Sequence, residues 1–276
     1  MLGPWLALSS ALVYGVVDYA GGILSRRVHF AVVSFVGQLG ALLAACVAAV
    51  LAGPGDVLQP ADLGWGALSG LGSATTMYFL NRGVSRGALS IVMPISAVTG
   101  VALSVGCGVV VLHERPGTLA WTGILLVPPA LWCITRGRVS RGRGAVRDGL
   151  IASCGVAVQY VALGLASPDS GLWPVAVGRV VAVIALVPAL RSARMSRVRA
   201  ADHARAGLIG AGATLGLVLY VLAARQEMLA VAVVIASLYP AIPVLLGVTV
   251  HHERLGRTQA LGLVAAGIAV ALLSIG

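Results

Sequence analysis

The chain has 276 residues, of which 59% are hydrophobic and 10% charged, and its net charge of +10 comes from arginine without any lysine. A soluble domain carries about 25% charged residues, so this composition cannot cover a water-facing surface and places lipid around most of the chain. The arginines sit in short gaps between apolar runs, which sets aside nucleic acid as a partner.

A membrane-spanning helix needs about 17–25 mainly apolar residues. Ten segments qualify in chain order: Gly3–Leu24, Phe30–Ala52, Asp62–Leu80, Ala88–Leu112, Thr118–Thr135, Asp148–Ala166, Leu172–Leu190, Ala206–Ala224, Leu229–Val250 and Thr258–Ile275. The first reads as a span and not a cleaved leader: MLGPWLALSS has no basic start, and the run continues through Asp18 without a small-x-small site. Lipid offers backbone groups no partner, so the spans must be helices, and the runs lack the alternation of a transmembrane barrel. The expected fold is an all-α integral membrane protein with ten transmembrane helices.

The ten divide into two sets of five. Residues 3–135 form one repeat, the arginine-rich RGRVSRGRGAVR at 136–147 links them, and residues 148–275 form the second. Asp18-Tyr19 aligns with Gln159-Tyr160 and Gln38 with Arg179 at an offset of 141, Tyr78 with Tyr220 at 142, and Glu114 with Glu253 at 139. Because five is odd, the second copy enters the membrane from the opposite side, which predicts two inverted five-helix repeats. Orientation follows from the arginines. The links after odd-numbered spans hold sixteen of them and those after even-numbered spans only Arg115 and Arg225. The odd links are therefore expected in the cytoplasm of a multi-pass cell-membrane protein, with both termini outside.

Two charges lie well inside the spans, Asp18 in the first and Arg179 in the seventh. An ionisable group at mid-membrane costs about 2.5–3.5 kcal/mol on insertion scales and defaults to a functional role, with snorkelling or a structural hydrogen bond as the alternative. At about 1.5 Å per residue, Asp18 lies roughly 9 Å and Gln38 roughly 13 Å from the inner ends of their spans, and Arg179 roughly 11 Å and Gln159 roughly 13 Å from the outer ends. This arithmetic predicts two polar layers, Asp18 with Gln38 in the inner half and Gln159 with Arg179 in the outer half. A carboxylate in a low-dielectric cavity can load and release a proton near neutral pH, which makes Asp18 the first candidate for coupling. Arg179 offers a fork of donors to a substrate carboxylate or, equally, a tie between helices.

Pro94 in the fourth span and Pro240 and Pro243 in the ninth free backbone carbonyls and kink their helices, as in transporters whose broken helices line the cavity. Met93, Ser96, Thr99, Ser237 and Tyr239 flank them, and Tyr14, Tyr78, Tyr160 and Tyr220 lie within spans where they can stack on a ligand. Simple packing is the competing role for each. The cysteines Cys46, Cys107, Cys133 and Cys154 sit in apolar runs without ligand spacing. His113, His251 and His252 stand at span ends beside arginine, so no metal site is expected. No phosphate-binding Gly-x-x-x-x-Gly-Lys occurs, and no cofactor is expected.

Several stretches, taken together, carry a resemblance: YGVVDYAGGILSRR, MYFLNRGVSRGALSIVMPIS, LHERP, GLWPVAVGRVVAV and IASLYPAIPVLLGVTVHHERLGRTQALGLVAAGIAV. In this order the chain resembles the drug/metabolite transporter superfamily, specifically ten-helix EamA-type members with two EamA repeats. His113-Glu114-Arg115 and His252-Glu253-Arg254 stand where that family usually has Gly-Glu-Arg. The resemblance implies a central cavity lined mainly by spans 1, 3, 4, 6, 8 and 9. It also implies movement of small metabolites or drugs. Family members are usually drawn with both termini in the cytoplasm, the reverse of what the arginines predict here. The expected function is a secondary active transporter, an exporter driven by protons or an exchanger, with the lipid bilayer and a small-molecule substrate as partners. A non-transporting membrane scaffold or receptor and an intramembrane enzyme are the alternatives; no convergent nucleophile, base or metal cluster supports the enzyme.

Overall fold

The computed structural model describes residues 3–53, 59–87, 92, 93, 95, 96, 99, 100, 103, 117–135, 139–193, 198–226, 242, 246, 249, 250 and 256–275. Eight α-helices are described: α1 Gly3–Leu24, α2 Phe30–Ala52, α3 Pro60–Arg86, α4 Thr118–Thr135, α5 Val139–Leu165, α6 Trp173–Leu186, α7 Ala200–Gln226 and α8 Arg257–Ile275. No strand occurs among the described residues. These helices correspond to the first, second, third, fifth, sixth, seventh, eighth and tenth predicted spans. The fourth and ninth spans fall largely outside the described residues, so the count of ten is not settled by these helices alone.

Where a helix faces lipid, its ends follow the change in composition: α1, α2 and α4 begin and end where the apolar runs do. Their outward side chains are among the most exposed in the chain, including Leu43, Leu51 and Leu125, as expected of a surface solvated by lipid. Among the described residues, three helical stretches suffice by length and composition to cross a membrane, Phe30–Ala52, Gly144–Leu163 and Trp173–Arg191. The long helices α3 and α7 are less apolar. α3 touches α1, α2, α5 and α6, so protein replaces lipid around it and glycine and serine are tolerated.

Three helices overrun their predicted limits. α3 continues to Arg86, α5 starts at Val139 within the expected 136–147 link, and α7 starts at Ala200. α6 is shorter: at Val187 it tightens into a 3-10 helix running to Ser192, where Pro188 removes a backbone donor.

Buried clusters fix the directions of the helices. At one end, Leu24 at the close of α1, Val33 at the start of α2 and Ala206 near the start of α7 pack together. Leu80 and Val84 near the close of α3 meet Ala145 and Ala152 near the start of α5, with Ile23 of α1 beside them. At the other end, Ala45 and Ala49 of α2 meet Val175 and Ala176 of α6 and Leu217 of α7. There Asp62, near the start of α3, accepts hydrogen bonds from the Ser167 N–H (2.9 Å) and the Ser170 hydroxyl after α5. Thus α2 runs antiparallel to α6, and α3 to α7.

Glycine sets the two tightest crossings. A Cβ on Gly210 of α7 would fall 1.6 Å from the Gly37 carbonyl oxygen of α2, and one on Gly70 of α3 would fall 2.0 Å from that of Gly178 on α6. Backbone touches backbone at both, which only a missing side chain permits. Gly37 and Gly178 are 141 residues apart, and Gly70 and Gly210 are 140 apart. The α2–α7 crossing and the α3–α6 crossing are therefore the same contact made twice.

Candidate functional site

Between the crossings lies a cavity of about 90 Å3. It is lined by Tyr14, Val17, Asp18 and Gly21 of α1, Gln38 and Ala41 of α2, five residues of α3, Gln159 of α5, Arg179 of α6, and Ile209, Gly210 and Ala213 of α7. A second space of about 80 Å3 shares Tyr14, Asp18, Thr76, Leu80 and Gln159 with it and extends to Met93, Ser96 and Val156. By volume the first holds several waters, at about 10–15 Å3 each on this measure.

Packing places α1 and α3 around the cavity. The Ser10 hydroxyl donates to the Gly216 carbonyl (2.7 Å), and the Tyr14 ring lies close against Gly216, where a side chain would collide with it. On the opposite wall the Thr76 hydroxyl donates to the Ala152 carbonyl (3.2 Å), one turn from the close approach of Gly72 to Gly155.

The polar centre is a three-way network. Arg179 Nη1 donates to Gln38 Oε1 (3.3 Å) and to the Ser73 hydroxyl, and Gln38 Nε2 donates to the same hydroxyl (3.0 Å). Gln38 and Arg179 are 1% and 5% exposed, so the guanidinium charge is met by two oxygens in place of water. The depth arithmetic had put these two residues in separate layers. They meet in one network, because counting residues from span ends places backbone positions only and leaves out the reach of a long guanidinium side chain.

Asp18 is the contrasting group. Its carboxylate lines both spaces, and it makes no hydrogen bond or ion pair with the described residues. Gln159, at the same offset in the second half, also lines both spaces. The structure thus brings Asp18, Gln38, Gln159 and Arg179 around one cavity.

Of the remaining candidates, Tyr14, Met93 and Ser96 line these spaces. Tyr78 and Tyr220 are not among the described lining residues; Tyr78 packs edge-on against Phe30 and Phe79, with ring centroids 5.1 and 5.2 Å away. The Thr99 hydroxyl is buried without a partner among the described residues and is not among the lining groups. Pro94, Ser237, Tyr239 and Pro240 lie outside the described residues, as does the side chain of Tyr160.

Sequence reasoning missed Ser73, Thr76 and Asn81. Asn81 lines the cavity and donates to the Ser34 hydroxyl (3.1 Å), which donates to the Met77 carbonyl (3.1 Å). The available signal was the run SGLGSATT at 69–76, the least apolar part of a span, with Ser73 exactly offset from Thr214 by 141 residues as Gln38 is from Arg179. Among the described residues, no three His, Cys, Asp or Glu gather to hold a metal.

The sequence profile of the EamA-like transporter family matches residues 1–136 and, a second time, residues 149–275. The chain belongs to this family. It is accordingly a multi-pass helical membrane protein of the drug/metabolite transporter type. Eleven chains of solved structures match its fold. One crystal structure aligns with a TM-score of 0.61 at 13% identity, over 98% of this EamA-like chain and 95% of its own. At that identity the likeness speaks for the fold alone. No curated protein matches the chain.

Proposed function

We propose that the chain is a secondary active transporter of small metabolites or drugs that works by alternating access around the central cavity. It has ten spans in two inverted five-helix repeats, residues 3–135 and 148–275, in the cell membrane. Support comes from the antiparallel course of α2 against α6 and α3 against α7, and from the doubled glycine crossing, which an inverted duplication generates and a single-copy bundle does not. The arginine distribution supports an orientation with both termini outside.

One observation carries the coupling assignment: the Asp18 carboxylate faces the cavity without a partner among the described residues, whereas the other charge there, Arg179, is already held by Gln38 and Ser73. A transport group must exchange partners during the cycle, and an unpartnered carboxylate is ready to do so. Asp18 is the proton- or exchange-coupling residue, the direction is export, and Arg179 keeps α2, α3 and α6 in register.

The test is flux of candidate solutes in proteoliposomes with and without a pH gradient, on the parent and on Asp18→Asn. Gradient-driven flux in the parent and its loss in a folded Asp18→Asn variant are expected. Undiminished flux in that variant would remove Asp18 from the mechanism, and no flux of any solute under any gradient would favour the scaffold.

A further inference from the structure

At one end of the cavity Leu80, Val84, Val92, Met93, Ala145 and Ala152 form a packed apolar cluster, with Tyr19 and Ile23 against them. Leu80 lines both the cavity and the second space and Met93 lines the second, so this cluster borders both. The same end holds an ion cluster around a buried carboxylate that the coupling assignment does not use. Asp148, near the start of α5, is fully buried. Its Oδ2 lies 3.4 Å from Arg82 Nε and 3.2 Å from Arg86 Nη1, both near the close of α3. Among the described residues its Oδ1 and Arg82 Nε have no hydrogen-bond partner.

The duplication shows what this cluster is for. The equivalent contact at the far end of the bundle joins the close of α7 to the start of α1. At the offset of 141, Asp148 corresponds to Ala7, Arg82 to Ala223 and Arg86 to Glu227, and residues 1–17 contain no charged side chain. The start of α1 therefore has no charge with which to form the equivalent lock. If the cluster served only to hold α3 on α5, the helix pair already has the Gly72–Gly155 contact, the Thr76 bond and the Asp62 tie at its other end.

We propose that Asp148, with Arg82 and Arg86, is a one-sided lock on the access path: a positioning group that holds the arginine-rich end of the cavity shut, while at the opposite end the start of α1 carries no carboxylate to do the same. This rests on the alternating-access reading. α3 and α5 open by splaying about Gly72 and Gly155, and Asp148 must leave its arginines for that to happen. Breaking a buried pair removes the attraction that favours the closed arrangement, so the conformational balance shifts toward the state open at that end.

The test reads access, not flux. In a background with Cys46, Cys107, Cys133 and Cys154 replaced, an Ala213→Cys reporter in the cavity is labelled with a membrane-impermeant thiol reagent from either face. Asp148→Asn should raise the labelling rate from the arginine-rich face at least tenfold and not from the opposite face, and Asp148→Glu should return it toward the parent. Arg86→Gln, at a half-exposed position, provides a milder variant if Asp148→Asn does not fold, with about a threefold rise expected. A folded variant that labels like the parent, or that labels faster from both faces alike, overturns the lock and leaves alternating access standing. A parent reporter reachable from one face only would sink alternating access and the lock with it.

Discussion

Replacing Gly210 by alanine adds one methyl group at the closest approach in the described structure. That carbon would stand 1.6 Å from the Gly37 carbonyl oxygen, 2.4 Å from its carbon and 2.9 Å from its Cα. All three are backbone, so no rotamer can yield. Restoring ordinary contact requires α2 and α7 to part by on the order of 1.5 Å, a gap that forfeits much of the dispersion energy along the crossing. Overpacking of this kind costs about 1–3 kcal/mol. For a chain of this size that is a fall in Tm on the order of 2–5 °C. The control lies one turn away on the same helix: a Cβ on Gly207 meets nothing within 4 Å, so Gly207→Ala should be neutral or gain about 0.5–1 kcal/mol from helix propensity. The assay is thermal unfolding of the two variants in the same detergent. Equal Tm values would refute the glycine crossing as a backbone contact. Gly70→Ala, at the duplicate crossing, should behave like Gly210→Ala.

Two other outcomes are expected. A double-mutant cycle of Gln38→Ala and Arg179→Ala, read by unfolding in detergent, should give a coupling of about 1–2 kcal/mol, because either change leaves the other partner buried and under-satisfied; additive effects would deny the network. A fluorescent reporter that matures only in the cytoplasm, fused after Gly276, should stay dark, and bright cells would reverse the orientation drawn from the arginines.

Much of the fold is legible because lipid imposes a simple rule. α1, α2 and α4 begin and end where composition changes, since nothing but hydrocarbon thickness sets their length. The rule weakens where protein replaces lipid. α3 runs on to Arg86, where Arg82 and Arg86 find Asp148, and α5 begins at Val139 inside an apparent link. The four polar residues of the site were visible as rare polar groups in apolar runs. Their mutual arrangement was not: Gln38 and Arg179 meet only because glycines let α2 and α6 cross closely with α7 and α3. Ser73 stayed hidden because a serine in a membrane helix ordinarily bonds its own backbone, and nothing local marks one that receives a guanidinium instead.

The Gln38–Arg179 hydrogen bond joins two residues that occupy equivalent places in the duplication. Each half therefore supplies one member of an unlike pair. Two copies of the second half, assembled as a dimer, would bring two guanidinium groups face to face with no amide to receive either. Two copies of the first would pair amide with amide and leave the centre without a cation. The halves have become complementary instead of interchangeable, and covalent fusion in one chain ensures that neither meets its own twin.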